Sequence, residues 1–243
     1  MVIKKAQIIN HRYMEDPLIR SLRVQAWFRA VTLASGKTPA QLEREFSERR
    51  SPPRMLPRSC IWEKYRRGEI VPRGGRRADG SPNLVERVEA RYPGTKEWLF
   101  SPLWRLADKA PMEMSEIRSV YEAMPPQIRS IFVAPSDKIK GCFWRRPVEP
   151  QEACDALSAL GNLDALVATL NLIKEGEASQ DQFLHYTALV ATSDLIYHLR
   201  DHQVIGGSCI ERLAKYLRSR LQTPGYLDEE DEDSRQVQYN AQM

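Results

Sequence analysis

Between residues 49 and 77 the chain carries ten basic side chains: Arg49, Arg50, Arg54, Arg58, Lys64, Arg66, Arg67, Arg73, Arg76 and Arg77. Only two acids, Glu63 and Glu69, stand among them. Side chains of this kind at this density are suited to binding phosphate, the arginines through paired N–H donors and the lysine as a point charge. Burying so many like charges would be prohibitive, so they belong on the surface or against a polyanion. Nucleic acid is the expected partner, with DNA favoured over RNA. Lys64, Arg66 and Arg67 are placed at or near a groove. Arg49, Arg50, Arg54, Arg58, Arg73, Arg76 and Arg77 are placed on the phosphate backbone.

Other residues could do chemistry, and each has a plainer explanation. His198 and His202, four apart, would share a helix face and could hold a metal with Asp194 or Asp201. No general base sits inside that motif and no third ligand is evident, so a structural pair near a helix end is expected and no metal or cofactor is assigned. Cys142 has basic neighbours that would favour its thiolate, with His185 downstream, but a half-buried structural thiol is the expectation. Glu43, Glu45 and Glu48 scatter around a helix and are expected on a solvated face. Tyr92, Trp98, Phe100 and Trp104 could stack on bases, yet their setting among leucines favours core packing. The chain has no Walker loop, GxGxxG or GxSxG, and no catalysis is expected.

The elements that must position these groups are helices. LIRSLRVQAWFRAVTLA (18–34) puts Leu18, Leu22, Ala26, Val31 and Leu33 near one face with Trp27 beside them, and stops at Gly36. Thr38 and Pro39 start the next helix, with Gln41 completing a capping box. Residues 47–59 contain three prolines and break it. In CIWEKYRRGE, Ile61, Trp62 and Tyr65 form the packed side, leaving Lys64 and Arg67 to project elsewhere. A basic Pro/Gly loop follows, then helices expected from Ser81-Pro82, from Thr95 with a bend at Pro102, over SEIRSVYEAM and over PQIRSIFV. Three long apolar patterns begin near Pro150 and run to about residue 222.

At TPAQLEREF, SCIWEKYRRGEIVPR and LVERVEARYP the chain resembles the lambda-repressor-like (XRE-type) helix-turn-helix family. The matching positions are Trp62, Glu63, Gly68 and Pro72, and the resemblance covers residues 20–92. It implies a DNA-binding helical domain with the helix in CIWEKYRRGE as the reading element. The stretch 47–58 departs from the family's tight turn, and the loop 73–80 is also longer than the family's.

The fold class expected is all-α, with an N-terminal helix-turn-helix-like domain and a C-terminal helical bundle domain. The segments are 1–108, a connecting region 109–149, a helical domain 150–225 for self-association or partner docking, and an acidic tail 226–243. The formal charge of +4 hides a division of labour: residues 1–110 hold 23 Lys/Arg and 12 Asp/Glu, and the rest hold 13 and 20. Opposite signs in the two halves suggest two tasks. Four scattered cysteines, no secretory signal and no long apolar run point to a cytoplasmic protein that spans no membrane. The function expected is that of a DNA-binding transcriptional regulator of a bacterial or mobile-element operon, acting as a homo-oligomer or with a protein partner. The alternative is a non-catalytic adaptor subunit of a larger nucleoprotein complex, in phage defence or transposition.

Overall fold

A computed structural model describes residues 15–47, 61–132 and 149–221. These form twelve helices, and the fold is all-α. Arg49, Arg50, Arg54, Arg58, Cys142 and the tail 226–243 lie outside the described residues.

The longest helix, α1 (Pro17–Ser35), starts where Asp16 accepts a hydrogen bond from the Leu18 N–H, and ends at Gly36 in the left-handed region (φ 64°). It has no solvent face in the ordinary sense. Ile19, Leu22, Ala26 and Ala30 enter one core, and Val24, Trp27, Phe28 and Val31 enter a second. The single expected face is therefore corrected: Val31 belongs to the other side, and Leu33 is 51% exposed. Two masses of apolar side chain claim two sides of this helix, so one-sided periodicity does not describe it.

The smaller core gathers α2 (Pro39–Phe46), α3 (Ile61–Arg67), α4 (Leu84–Arg91) and α5 (Thr95–Phe100) on α1. Thr38 and Gln41 close the capping box of α2. Helix α4 begins at Leu84 after Asn83, two residues beyond the expected Ser81-Pro82, because Asn83 is engaged in bracing the preceding loop. Glu89 accepts from the Gly94 and Lys96 N–H groups and so caps α5 from outside it.

The larger core contains α6 (Pro102–Ala107), α7 (Met114–Ala123), α8 (Pro126–Phe132), α9 (Pro150–Leu160), α10 (Leu163–Ser179), α11 (Gln182–His198) and α12 (Ser208–Leu221), with one side of α1. The two described helices of the expected connecting region, α7 and α8, thus share a core with the C-terminal helices. Ser101 separates α5 from α6 and caps the latter, so Pro102 starts a new helix instead of bending an old one. Gly161 (φ 57°) splits the first long C-terminal pattern into α9 and α10. Among the described residues no helix is long and apolar enough to cross a membrane.

The turn from α11 to α12 is built on His202. Its Nδ1 accepts from the Val204 N–H at 3.1 Å, and its ring meets Trp98 edge-on at 5.4 Å. Burial, with the Arg29 charge adding to it, holds the His202 pKa below its ordinary value; burial and Lys174 do the same to His185. The unfolded chain therefore binds more protons than the folded one below about pH 6.5. Stability is expected to be full above that pH and to fall as pH drops toward the depressed values. Thermal melts between pH 7 and pH 5 should show the decline, and it should be shallower in a His202→Gln, His185→Gln variant.

Candidate nucleic-acid interface

Helix α3 is short, and its hold on the protein comes from aromatic stacking. Trp62 lies flat against Trp27, with ring centroids 5.7 Å apart and planes 19° apart, and Tyr65 meets Trp27 edge-on at 5.4 Å. Phe28 and Phe46 pack on the same Trp62 ring. Such offset and edge contacts add about 0.5–1.5 kcal/mol per pair to the area they bury. Burial pushes the Tyr65 hydroxyl up to about 12, so it stays neutral in this cluster.

Both ends of α3 are fixed by other elements. At its start the Trp62 N–H donates to Glu43 Oε2 of α2 at 3.3 Å. At its end Gly68 (φ 71°) presses on α1 so closely that a Cβ there would stand 2.5 Å from the Ser21 carbonyl oxygen. Gln25 donates to the Arg67 carbonyl at 3.0 Å and accepts from Arg212 of α12 at 3.0 Å. One amide thus ties the end of α3 to the larger core.

The packed side of α3 leaves Lys64, Arg66 and Arg67 exposed. Arg66 pairs with Glu63 at 2.7 Å and Arg67 with Glu69 at 2.7 Å. Both are solvent-exposed pairs, worth about 0–1 kcal/mol, so a phosphate can displace either acid at small cost.

The loop after α3 is an ordered projection. Val71 packs against the small core and Pro72 is buried. Beyond them the chain doubles back as a narrow hairpin. Arg76 bridges Pro82 in antiparallel fashion, the Arg77 N–H donates to the Ser81 carbonyl at 2.8 Å, and the Asn83 N–H donates to the Gly75 carbonyl at 2.9 Å. Asn83 also donates from its side chain to the Gly74 carbonyl, and Asp79 closes the tip by accepting from Ser81. Arg73, Arg76 and Arg77 are all exposed, and Arg76 Nη1 donates to the Gly80 carbonyl, which sets its stem along the hairpin. Sequence spacing gave no sign that this loop was braced, because one asparagine bonds to residues eight and nine positions before it.

The aromatics of 92–104 divide. Trp104 is buried and donates to the Trp98 carbonyl at 2.7 Å. Phe100 is 54% exposed and lies against Gly74, where a Cβ would come within 2.9 Å of its ring. It adds a flat apolar surface to the base of the basic hairpin, with Lys96 over its ring. Glu43 departs from the solvated-face expectation, since it is partly buried and caps α3, whereas Glu45 is exposed as expected and there holds Lys37 and the Tyr92 hydroxyl. Glu48 lies outside the described residues.

The remaining candidates take structural places. Helix α11 ends at His198, so His202 lies beyond it and the two imidazoles do not share a helix face. They do border one open hollow with Asp164 and Asp201, but among the described residues no group of three or more His, Cys, Asp or Glu side chains is arranged to hold a metal. Burial pushes the Cys154 and Cys209 thiols up to about 11, which leaves them protonated.

No family model matches the chain, and neither does any curated protein or solved structure.

Proposed function

We propose that this protein is a DNA-binding transcriptional regulator, with α3 and the hairpin 73–83 forming the surface that meets the duplex. The observation that carries this reading is the pairing of a rigidly stacked short helix with a braced hairpin, which together expose six basic side chains, Lys64, Arg66, Arg67, Arg73, Arg76 and Arg77, beside one exposed acid, Asp79, at the hairpin tip. In this reading α3 approaches the base edges and the hairpin arginines hold the backbone beside it. The helices of the larger core supply association with a second copy or with a protein partner, because helix-turn-helix proteins commonly need two half-sites.

The test is a binding titration of the full chain against its own upstream duplex and a random duplex, across a salt series. Preference for the upstream duplex that survives competitor DNA supports the regulator. Arg76→Ala should then lower the slope of log affinity against log salt by about 0.9, the contribution of one phosphate contact. Lys64→Ala should weaken discrimination between the two duplexes. Equal, steeply salt-dependent binding to both would sink the regulator and leave a sequence-independent nucleic-acid adaptor. No binding at low salt would sink both.

A further inference from the structure

Eight large apolar side chains stand exposed among the described residues, and four of them lie on α11: Phe183, Tyr186, Val190 and Tyr197, between 48% and 66% exposed. Their spacings of three, four and seven place them in one stripe along the helix. The other sides of α11 are taken up by α9, α10 and α12. Beside the stripe, α11 and α12 form an open groove of about 320 Å³ whose walls include Ser193, Ile196, Ala214 and Leu217.

We propose that this stripe is the interface of a symmetric dimer, in which α11 of a second copy lies antiparallel on it with the two-fold axis at Val190. The proposal deepens the reading of the larger core as an association unit and rests on that reading; it does not depend on whether the basic face binds DNA.

The argument is self-complementarity. A two-fold interface brings residue i to residue j and j to i, so an antiparallel helix pair must match outward from its centre. Counting from Val190, seven residues either way, Phe183 meets the partner's Tyr197, ring on ring. Four residues either way, Tyr186 meets the partner's Asp194, a phenol that can donate to a carboxylate. Val190 meets its own copy. Just past the matched positions, Asp181, nine residues before the centre, comes near the partner's Arg200, ten residues after it and beyond the end of α11. Phe183, Tyr186, Val190, Asp194, Tyr197, Asp181 and Arg200 are all exposed. A parallel arrangement would instead set Asp194 against Asp194 and Arg200 against Arg200, and like charges directly opposed are unfavourable. The antiparallel pair also aligns the two helix dipoles favourably. An unrelated protein partner gives no reason for the sequence to balance about residue 190. The stripe presents a few hundred Å² per copy, at the small end of stable interfaces, so the dimer should be concentration-dependent.

Sedimentation equilibrium of the full chain, without DNA, should show a mass rising with concentration from 28.0 kDa toward twice that value. Val190→Glu sets two carboxylates on the axis and should leave a monomer at every concentration, with an unchanged melting curve at dilutions where the parent is also monomeric. Orientation is read by copper-phenanthroline cross-linking above the background of the parent chain. Val190→Cys should form a disulfide dimer. Phe183→Cys alone should not, because its two copies lie about 21 Å apart along the antiparallel pair. Mixed with Tyr197→Cys it should. A parent chain monomeric throughout, a Val190→Glu variant that still dimerises, or efficient cross-linking by Phe183→Cys alone would each overturn the proposal. A monomer that binds its upstream duplex sinks the dimer and spares the regulator. A dimer that binds no DNA does the reverse.

Discussion

Replacing Trp62 with alanine is expected to destabilise the protein by about 3–5 kcal/mol, the range for emptying a large aromatic site in a core. Trp62 is 2% exposed and touches Trp27, Phe28, Phe46 and Tyr65, so no single neighbour can move into the space. A whole domain holds about 5–15 kcal/mol, and the loss would be a large share of it. Urea denaturation followed by far-ultraviolet circular dichroism measures it as a lowered midpoint. The shape of the transition is informative too. Because α1 gives one side to each core, melting the small core strips cover from Ile19, Leu22, Ala26 and Ala30 in the large one. A single transition is therefore expected in parent and variant. Two separated transitions in the parent chain would show that α1 does not couple them.

Gly176→Ala is expected to destabilise by about 1–3 kcal/mol, although alanine is the better helix former by close to 1 kcal/mol. A Cβ on residue 176 would stand 2.8 Å from the His185 backbone nitrogen and 2.9 Å from its Cα. Those atoms cannot rotate aside, so α10 and α11 must separate. A fall in melting temperature decides the sign; a rise would mean the helices part without cost. The same displacement tilts the stripe on α11, so the variant's dimer should also weaken.

Much of the helical content was legible in the sequence, and for identifiable reasons. Thr38, Pro39 and Gln41 marked the start of α2 because capping is chemistry between residues three apart. Gly36 marked the end of α1 because the left-handed backbone there favours glycine. The helices beyond residue 150 followed from their apolar stripes, and Gly161 marked the break between α9 and α10 for the same reason as Gly36. For the candidate site, composition located the basic segment and the spacing of Trp62 and Tyr65 gave the packed side of α3. What spacing could not supply was anything bonded across the chain. The hold of Gln25 on the Arg67 carbonyl spans 42 residues, and that of Glu43 on the Trp62 N–H spans 19. The same limit concealed α1's double role, since a helix with two buried sides has no one-sided period to find.

That double role bears on how the sequence can drift. Between Pro17 and Ser35 only Pro17, Arg20, Arg29, Leu33 and Ala34 are exposed, and Arg29 is engaged with the Gly206 carbonyl at 2.9 Å. A helix serving one core is free to vary along its wet side, and its neighbours can compensate from one direction. Here a change that suits one set of neighbours must also suit the other, and the two sets belong to different cores. Distant relatives would accordingly keep α1 more faithfully than the basic surface itself, and a kinship too faint to see across the whole length would be recognisable first in those nineteen residues.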